Sequence, residues 1–188
     1  MRLFVALDIP EDVRAAIGAL VKQLREQLRD ARWVRIEGAH VTLKFIGEVP
    51  TEKMEDIKAA LRTVPFPASI KIIYRGIGFF PNERRPRVLW AGIEAGPPLG
   101  ALASAVDASL EPLGISREQR AFSPHLTLAR LDSPKNQNRL HEGIAAAGKL
   151  EFGSGVANEF HLYQSVLKRG GAEYTRLASY SSSRGETR

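Results

Sequence analysis

The sequence predicts an α+β protein of two lobes related by a pseudo-twofold, each an antiparallel sheet with flanking helices. The phrase His-x-Thr-Leu occurs twice, at residues 40–43 and 125–128, a shift of 85. The same shift carries Arg2 through Leu7 onto Arg87 through Gly92. It also carries Ala16, Val21, Leu28 and Ala60 onto Ala101, Val106, Leu113 and Ala145. No stretch between these segments reads as a long linker. Halves of about 2–86 and 87–171 are therefore expected to pack within one domain spanning 1–178, with a loose polar tail over 179–188, "SYSSSRGETR".

Each half repeats one order of elements. A short apolar strand comes first, "RLFVALDI" or "RVLWAGIE". In the following segment, Val13, Ile17, Leu20, Val21, Leu24 and Leu28 recur at helical spacing over residues 11–28. Its counterpart, residues 98–114, begins after a proline pair and ends toward Gly114. The motif strands come next, followed by helices expected over 51–64 and 134–149. Thr51 and the pair Ser133-Pro134 serve as expected helix starts. A later strand closes each unit, "ASIKIIYRGIGFF" in the first and "GVANEFHLYQSVL" in the second.

Composition narrows the function classes. With 188 residues, 44% hydrophobic and 26% charged, the chain has the make-up of a soluble globular protein. No apolar run approaches the roughly 20 residues of a membrane span, and "MRLFVALDIP" reads as a strand rather than a secretory signal. The absence of cysteine excludes disulfides, a thiol nucleophile and a thiolate metal site, and fits a cytoplasmic protein. A net charge of +6 favours polyanions such as RNA.

On a strand, alternate side chains share a face, so His40 pairs with Thr42 and His125 with Thr127, opposite Val41, Leu43, Leu126 and Leu128. A pseudo-twofold would gather two imidazoles and two hydroxyls around one cleft. Displacement at a phosphodiester needs a base on the entering oxygen and an acid on the leaving one, which two histidines supply near neutral pH. Threonine hydroxyls can donate to the non-bridging oxygens. Lys44, counted by strict alternation onto the same face, adds positive potential there. A zinc site needs more ligands than the motifs carry, and the nucleophile-elbow pattern GxSxG is missing. His141, in a helix, and His161, in a strand, are read as structural. The turn "PNERRPRVLW" exposes Arg84 and Arg85, either as a solubilising loop or as a track for RNA.

The ordered set "RLFVALDIP", "HVTLKFIGEV", "RVLWAGI", "FSPHLTLAR" and "LYQSVLKRGGAEYTRL" resembles the 2H phosphoesterase superfamily. More narrowly it is similar to the RNA 2′,3′-cyclic phosphodiesterases, also called 2′-5′ RNA ligases or the LigT group. The resemblance implies a cleft between lobes, no cofactor or metal, and RNA with a 2′,3′-cyclic phosphate end, opened to a 2′-phosphate. It implies His40 as proton donor, His125 as proton acceptor activating water, and Thr42, Thr127 and Arg130 as phosphate ligands. Strict alternation puts Arg130 opposite His125, so a bulge or strand end is needed to bring it to the site. Reverse 2′-5′ ligation is implied as well, and a monomer is expected. Two rivals stand beside this reading: a 2H enzyme acting on a small cyclic nucleotide or 2′-5′ linkage, and a nucleotide- or RNA-binding module without turnover. The complete His/Thr quartet argues against the latter.

Overall fold

The computed structural model describes residues 1–28, 31–131, 137–148, 150–168 and 171–182. The first strand, β1 (Arg2–Asp8), is buried on both faces from Leu3 to Leu7, which explains its unbroken apolar run. Helix α1 (Glu11–Gln27) follows and buries Val13, Ile17, Leu20, Val21 and Leu24, the stripe expected from its spacing. Fully burying one such Leu or Ile contributes about 1.5–3 kcal/mol. A two-residue strand, β2 (Arg32–Trp33), precedes the first motif strand, β3 (His40–Glu48).

Helix α2 (Met54–Arg62) is entered through a 3-10 turn over Thr51–Lys53. Thr51 makes no side-chain cap; the Lys53 N–H instead donates to the Pro50 carbonyl at 3.2 Å. Next come β4 (Ile70–Phe80), β5 (Val88–Ala95) and α3 (Pro97–Leu110). A 3-10 turn extends α3 to Gly114, whose φ of 79° suits a residue without Cβ. The second motif strand is β6 (His125–Arg130), followed by α4 (Gln137–Ala146). The start expected for α4 at Ser133-Pro134 lies outside the described residues.

The segment expected as one closing strand is two, β7 (Glu151–Ala157) and β8 (Glu159–Lys168). Only Asn158 separates them, and the chain passes there from one sheet to the other without a turn. The last strand, β9 (Gly171–Ser181), corrects the tail boundary. Residues 179–181 belong to the sheet, and Tyr180 is buried with its ring stacked on Phe160 at 4.9 Å. Residues 183–188 lie outside the described part.

The strands form two antiparallel sheets, ordered β3-β1-β8-β9 and β2-β6-β5-β4-β7. The two four-strand series β3-β1-β8-β9 and β6-β5-β4-β7 correspond, which is the pseudo-twofold. The sequence halves, however, are not the lobes. The closing strand of each half, β4 or β8, pairs in the sheet built on the other half's motif strand. Helices follow the same exchange: α1 packs on α4 and β7, and α3 on α2 and β3. One apolar core runs through both layers, from Leu3 and Val5 to Leu126, Phe160 and Leu162. Among the described residues no helix is long and apolar enough to cross a membrane.

The constant shift of 85 holds only for the motif strands. Ala6 lies opposite Thr42 and Trp90 opposite Thr127, so the ladders of β1 and β5 correspond at a shift of 84. The buried positions Val13, Ile17, Leu20 and Leu24 correspond to Leu99, Ala103, Val106 and Leu110 at a shift of 86. A one-residue error on a strand exchanges its two faces, so the ungapped match pairs Phe4, at the cleft, with Leu89, in the core.

Candidate active site

Strands β3 and β6 meet where the two sheets adjoin. Their His/Thr faces line one cavity of about 640 Å³, together with Arg130. All five residues expected to do the chemistry, His40, Thr42, His125, Thr127 and Arg130, therefore share one space.

Arg130 reaches it through a bulge. Along β5, Leu89 pairs with Ala129 and the next residue, Trp90, pairs with Thr127, so Leu128 is skipped. The extra residue buries both Leu128 and Ala129 and returns Arg130 to the face of His125 and Thr127. The same device occurs in β3: Val5 pairs with Lys44 and Ala6 with Thr42, skipping Leu43. There it has the opposite consequence for the expected positive charge. Lys44 is turned away from the cleft and buried, its ammonium bonded to the Ser116 carbonyl at 2.7 Å and paired with Asp107. Phe45 takes the place that Arg130 occupies in the other lobe, at the cavity wall with the Arg2 guanidinium 4.9 Å from its ring centre.

The two imidazoles are held alike. His40 Nδ1 lies 2.7 Å from the Gly38 carbonyl and His125 Nδ1 lies 2.8 Å from the Ser123 carbonyl, each two residues upstream. A carbonyl only accepts, so Nδ1 carries the proton and Nε2 is left for chemistry. Their surroundings differ. The His40 ring stacks on Phe4 at 4.4 Å and meets Tyr174 edge-on at 5.1 Å. Burial holds its pKa below the usual value of 6.5, opposed by the Gly38 hydrogen bond and the charge of Asp8 and reinforced by Arg14. His125 instead meets Phe80 edge-on at 4.9 Å, with Trp90 at 6.4 Å.

Residues beyond the motifs complete the neighbourhood. Tyr163 donates to Asp8 Oδ1 at 2.5 Å, and Arg176 pairs with Asp8 Oδ2. A cavity of about 470 Å³ on this side is lined by Asp8, His40, Tyr163 and Arg176. Asp8 ends a run of buried residues, and a carboxylate closing an apolar strand is the one sequence signal that could have marked it. Tyr163 and Arg176 carried none, since β8 comes beside β1, and β9 beside β8, only in the fold.

His141 and His161 line neither of these cavities. His141 is exposed on α4, 5.5 Å from the Phe79 ring, and His161 is buried with Nδ1 2.9 Å from Ser179 Oγ. Arg84 and Arg85 sit on the exposed β4–β5 turn, where both backbone N–H groups donate to Asn82 Oδ1. Among the described residues no group of three or more His, Cys, Asp or Glu is placed to hold a metal ion.

Comparison with known proteins shows the family. The family model for LigT like phosphoesterases matches residues 7–90 and again 93–174, once for each repeat. An RNA 2′,3′-cyclic phosphodiesterase from Archaeoglobus fulgidus is 35% identical over 178 residues, covering 94% of this chain and 98% of its own. One from Thermus thermophilus is 36% identical, covering 96% and 90%. Among solved structures, a Thermus thermophilus protein superposes with a TM-score of 0.79 at 34% identity, covering 96% of this chain and 97% of its own. E. coli LigT complexed with 3′-AMP superposes with a TM-score of 0.76 at 27% identity, covering 97% and 98%. With both repeats matched and full-length relatives above 30% identity, the chain belongs to the LigT-like phosphoesterase family.

Proposed function

We propose that this protein hydrolyses the 2′,3′-cyclic phosphate at an RNA end to a 2′-phosphate by two-histidine acid–base catalysis. The matched pair of imidazoles carries the reading: each is fixed through Nδ1 to a backbone carbonyl, beside a threonine, in one cavity. The names of the relatives from Archaeoglobus fulgidus and Thermus thermophilus support the substrate class.

In the forward step His125 Nε2 takes a proton from water as its oxygen attacks phosphorus. The P–O3′ bond breaks, and O3′ takes the proton held on His40 Nε2. Thr42 and Thr127 hydroxyls donate to the non-bridging oxygens, and the Arg130 guanidinium balances their charge. The imidazoles end with their protonation states exchanged, and proton exchange with solvent resets them. A 5′-hydroxyl of RNA entering in place of water, losing its proton to His125 as the P–O3′ bond breaks, would give a 2′-5′ linkage through an analogous transition state. Every group in this scheme comes from one chain, which fits action as a monomer, and the charge movement needs no metal or other cofactor. We place the reaction in the cytoplasm, where RNA is the polyanion at hand for a cationic surface.

The test is to incubate RNA bearing a 2′,3′-cyclic phosphate with the protein and an excess of chelator. A 2′-phosphate product is expected. A 3′-phosphate, or activity lost on chelation and restored by zinc or manganese, would overturn the proposal.

A further inference from the structure

We propose that Asp8 is a positioning residue that keeps His40, rather than His125, in the role of proton donor, with Arg176 setting how strongly it does so. The inference rests on the acid–base assignment above and explains why two histidines held alike take different parts.

Asp8 is the cross-strand partner of His40 in the β1–β3 ladder. Directly opposed residues put their Cβ atoms about 4.5–5.5 Å apart on one face, and both side chains line the same cavity. The carboxylate is fixed by the Tyr163 hydroxyl and the Arg176 guanidinium, which itself donates to the Tyr163 oxygen at 3.3 Å. An anion held beside an imidazole favours the imidazolium, the form a proton donor must start in, and here it works against the burial that lowers the His40 pKa.

The other lobe lacks this arrangement and has no room for it. The residue opposite His125 is Gly92, and a Cβ there would lie 2.2 Å from the Arg75 carbonyl oxygen. In the corresponding ladder, Tyr163 is replaced by Phe80, which has no hydroxyl, and His161 by Gly78, over which the Trp90 ring lies. The motif strands repeat, but the charge beside them does not.

Other charges face His40 and bear on the sign. Arg14 opposes Asp8; it reaches over from α1, bonded to the carbonyls of Ile36 and Glu37. Arg35, Glu37 and Glu173 line the same cavity, and Arg2 and Arg130 lie on the phosphate side. His161 lies with Nε2 3.6 Å from Asp8, and burial keeps its pKa lowered. Arg176, always charged, pairs with Asp8 and partly cancels it. Removing Asp8 and removing Arg176 must therefore act on His40 in opposite directions.

Asp8→Asn keeps an acceptor for Tyr163 and loses the charge; Arg176→Gln keeps a donor and loses the opposing charge. Two readouts are taken on each full-length variant: the His40 titration followed by NMR, and the pH dependence of kcat/KM on a cyclic-phosphate oligonucleotide. Asp8→Asn should move both the His40 titration and the alkaline limb of kcat/KM to lower pH by about half a unit or more, and Arg176→Gln should move both upward. Shifts in the same direction, or an unmoved His40 titration, would overturn the role of Asp8. A His40 titration that moves as expected while the kinetic limb stays still would refute the donor assignment instead, and with it this proposal.

Discussion

The two motif strands make an internal control. β3 and β6 share the same sequence phrase, the same carbonyl hold on the imidazole and the same skipped residue after the threonine. Beyond the skip they diverge: one delivers an arginine to the shared cavity, the other a phenylalanine capped by Arg2. Behind the histidines they diverge again, with Asp8, Tyr163 and Arg176 on one side and Gly92, Phe80 and Trp90 on the other. The lesson is that the repeated parts hold the groups and the unrepeated parts decide what each group does. A fully symmetric site would hold two interchangeable histidines and could not tell entering from leaving oxygen.

The sharpest way to break this comparison is to remove one histidine at a time. His40→Ala and His125→Ala should each lower kcat by roughly 10²-fold or more on a cyclic-phosphate RNA. The double variant should be little worse than the poorer single one, because both act in one step. The asymmetry then shows on a phosphodiester with a p-nitrophenolate leaving group, which needs little protonation. There His125→Ala should stay impaired while His40→Ala recovers most of its loss; equal losses on both substrates would refute the division of labour.

Next in size is Lys44, whose counterpart by the shared bulge is Ala129. Lys44→Ala leaves Asp107 without its buried partner and should cost about 3 kcal/mol in a urea unfolding titration, with kcat little changed in the remaining folded protein. A large fall in kcat without loss of stability would restore Lys44 to the site. Arg130 is a contact of the opposite kind. Arg130→Gln should lower kcat/KM about tenfold, the scale of one charge-assisted hydrogen bond to the phosphate. The same measurement on Phe45→Leu should show a smaller change, since that side chain carries no charge to the phosphate.

A finer test lies in pH. Burial lowers the pKa of His40, and its active form as donor is the protonated one, lost as pH rises through that lowered value. The alkaline limb of kcat/KM, which reports free enzyme, should therefore fall below 6.5. Bound phosphate adds negative charge beside the ring, so the limb of kcat should lie higher. Identical limbs would mean that the group titrating is not His40. The smallest effect concerns the turn arginines. If Arg84 and Arg85 track the RNA backbone, replacing each with alanine should weaken the salt dependence of KM on an oligonucleotide by about one unit of slope. A mononucleotide should show no such change, and an unaltered oligonucleotide slope would leave the turn as a solubilising loop.

Much of this was legible in the sequence because periodicity and repetition report local geometry. The α1 stripe, the two motif strands and the quartet His40, Thr42, His125 and Thr127 fell where spacing put them. Lys44 was misplaced because counting by twos assumes an unbroken pleat, and a skipped residue inverts everything after it; Arg130 reaches the site through the same kind of skip, the bulge its expected role required. The join at Asn158 was hidden because the chain stays extended while changing sheets, so neither glycine nor proline marks it. Asp8 was visible as a residue but not as a neighbour of His40, since cross-strand pairing is a property of the fold.

The exchange of strands between sheets also orders events during synthesis. The series β6-β5-β4-β7 is drawn from residues 70–157, an uninterrupted run of chain. The series β3-β1-β8-β9 joins two strands that precede that run to two that follow it. Chains leave the ribosome N-terminus first and fold as units become complete. The strands around His125 are therefore all translated while β1 still lacks its partner on the β8 side. Tyr163 and Arg176, the groups that hold Asp8 beside His40, lie on β8 and β9, so the surroundings of His125 are translated before those of His40 are complete.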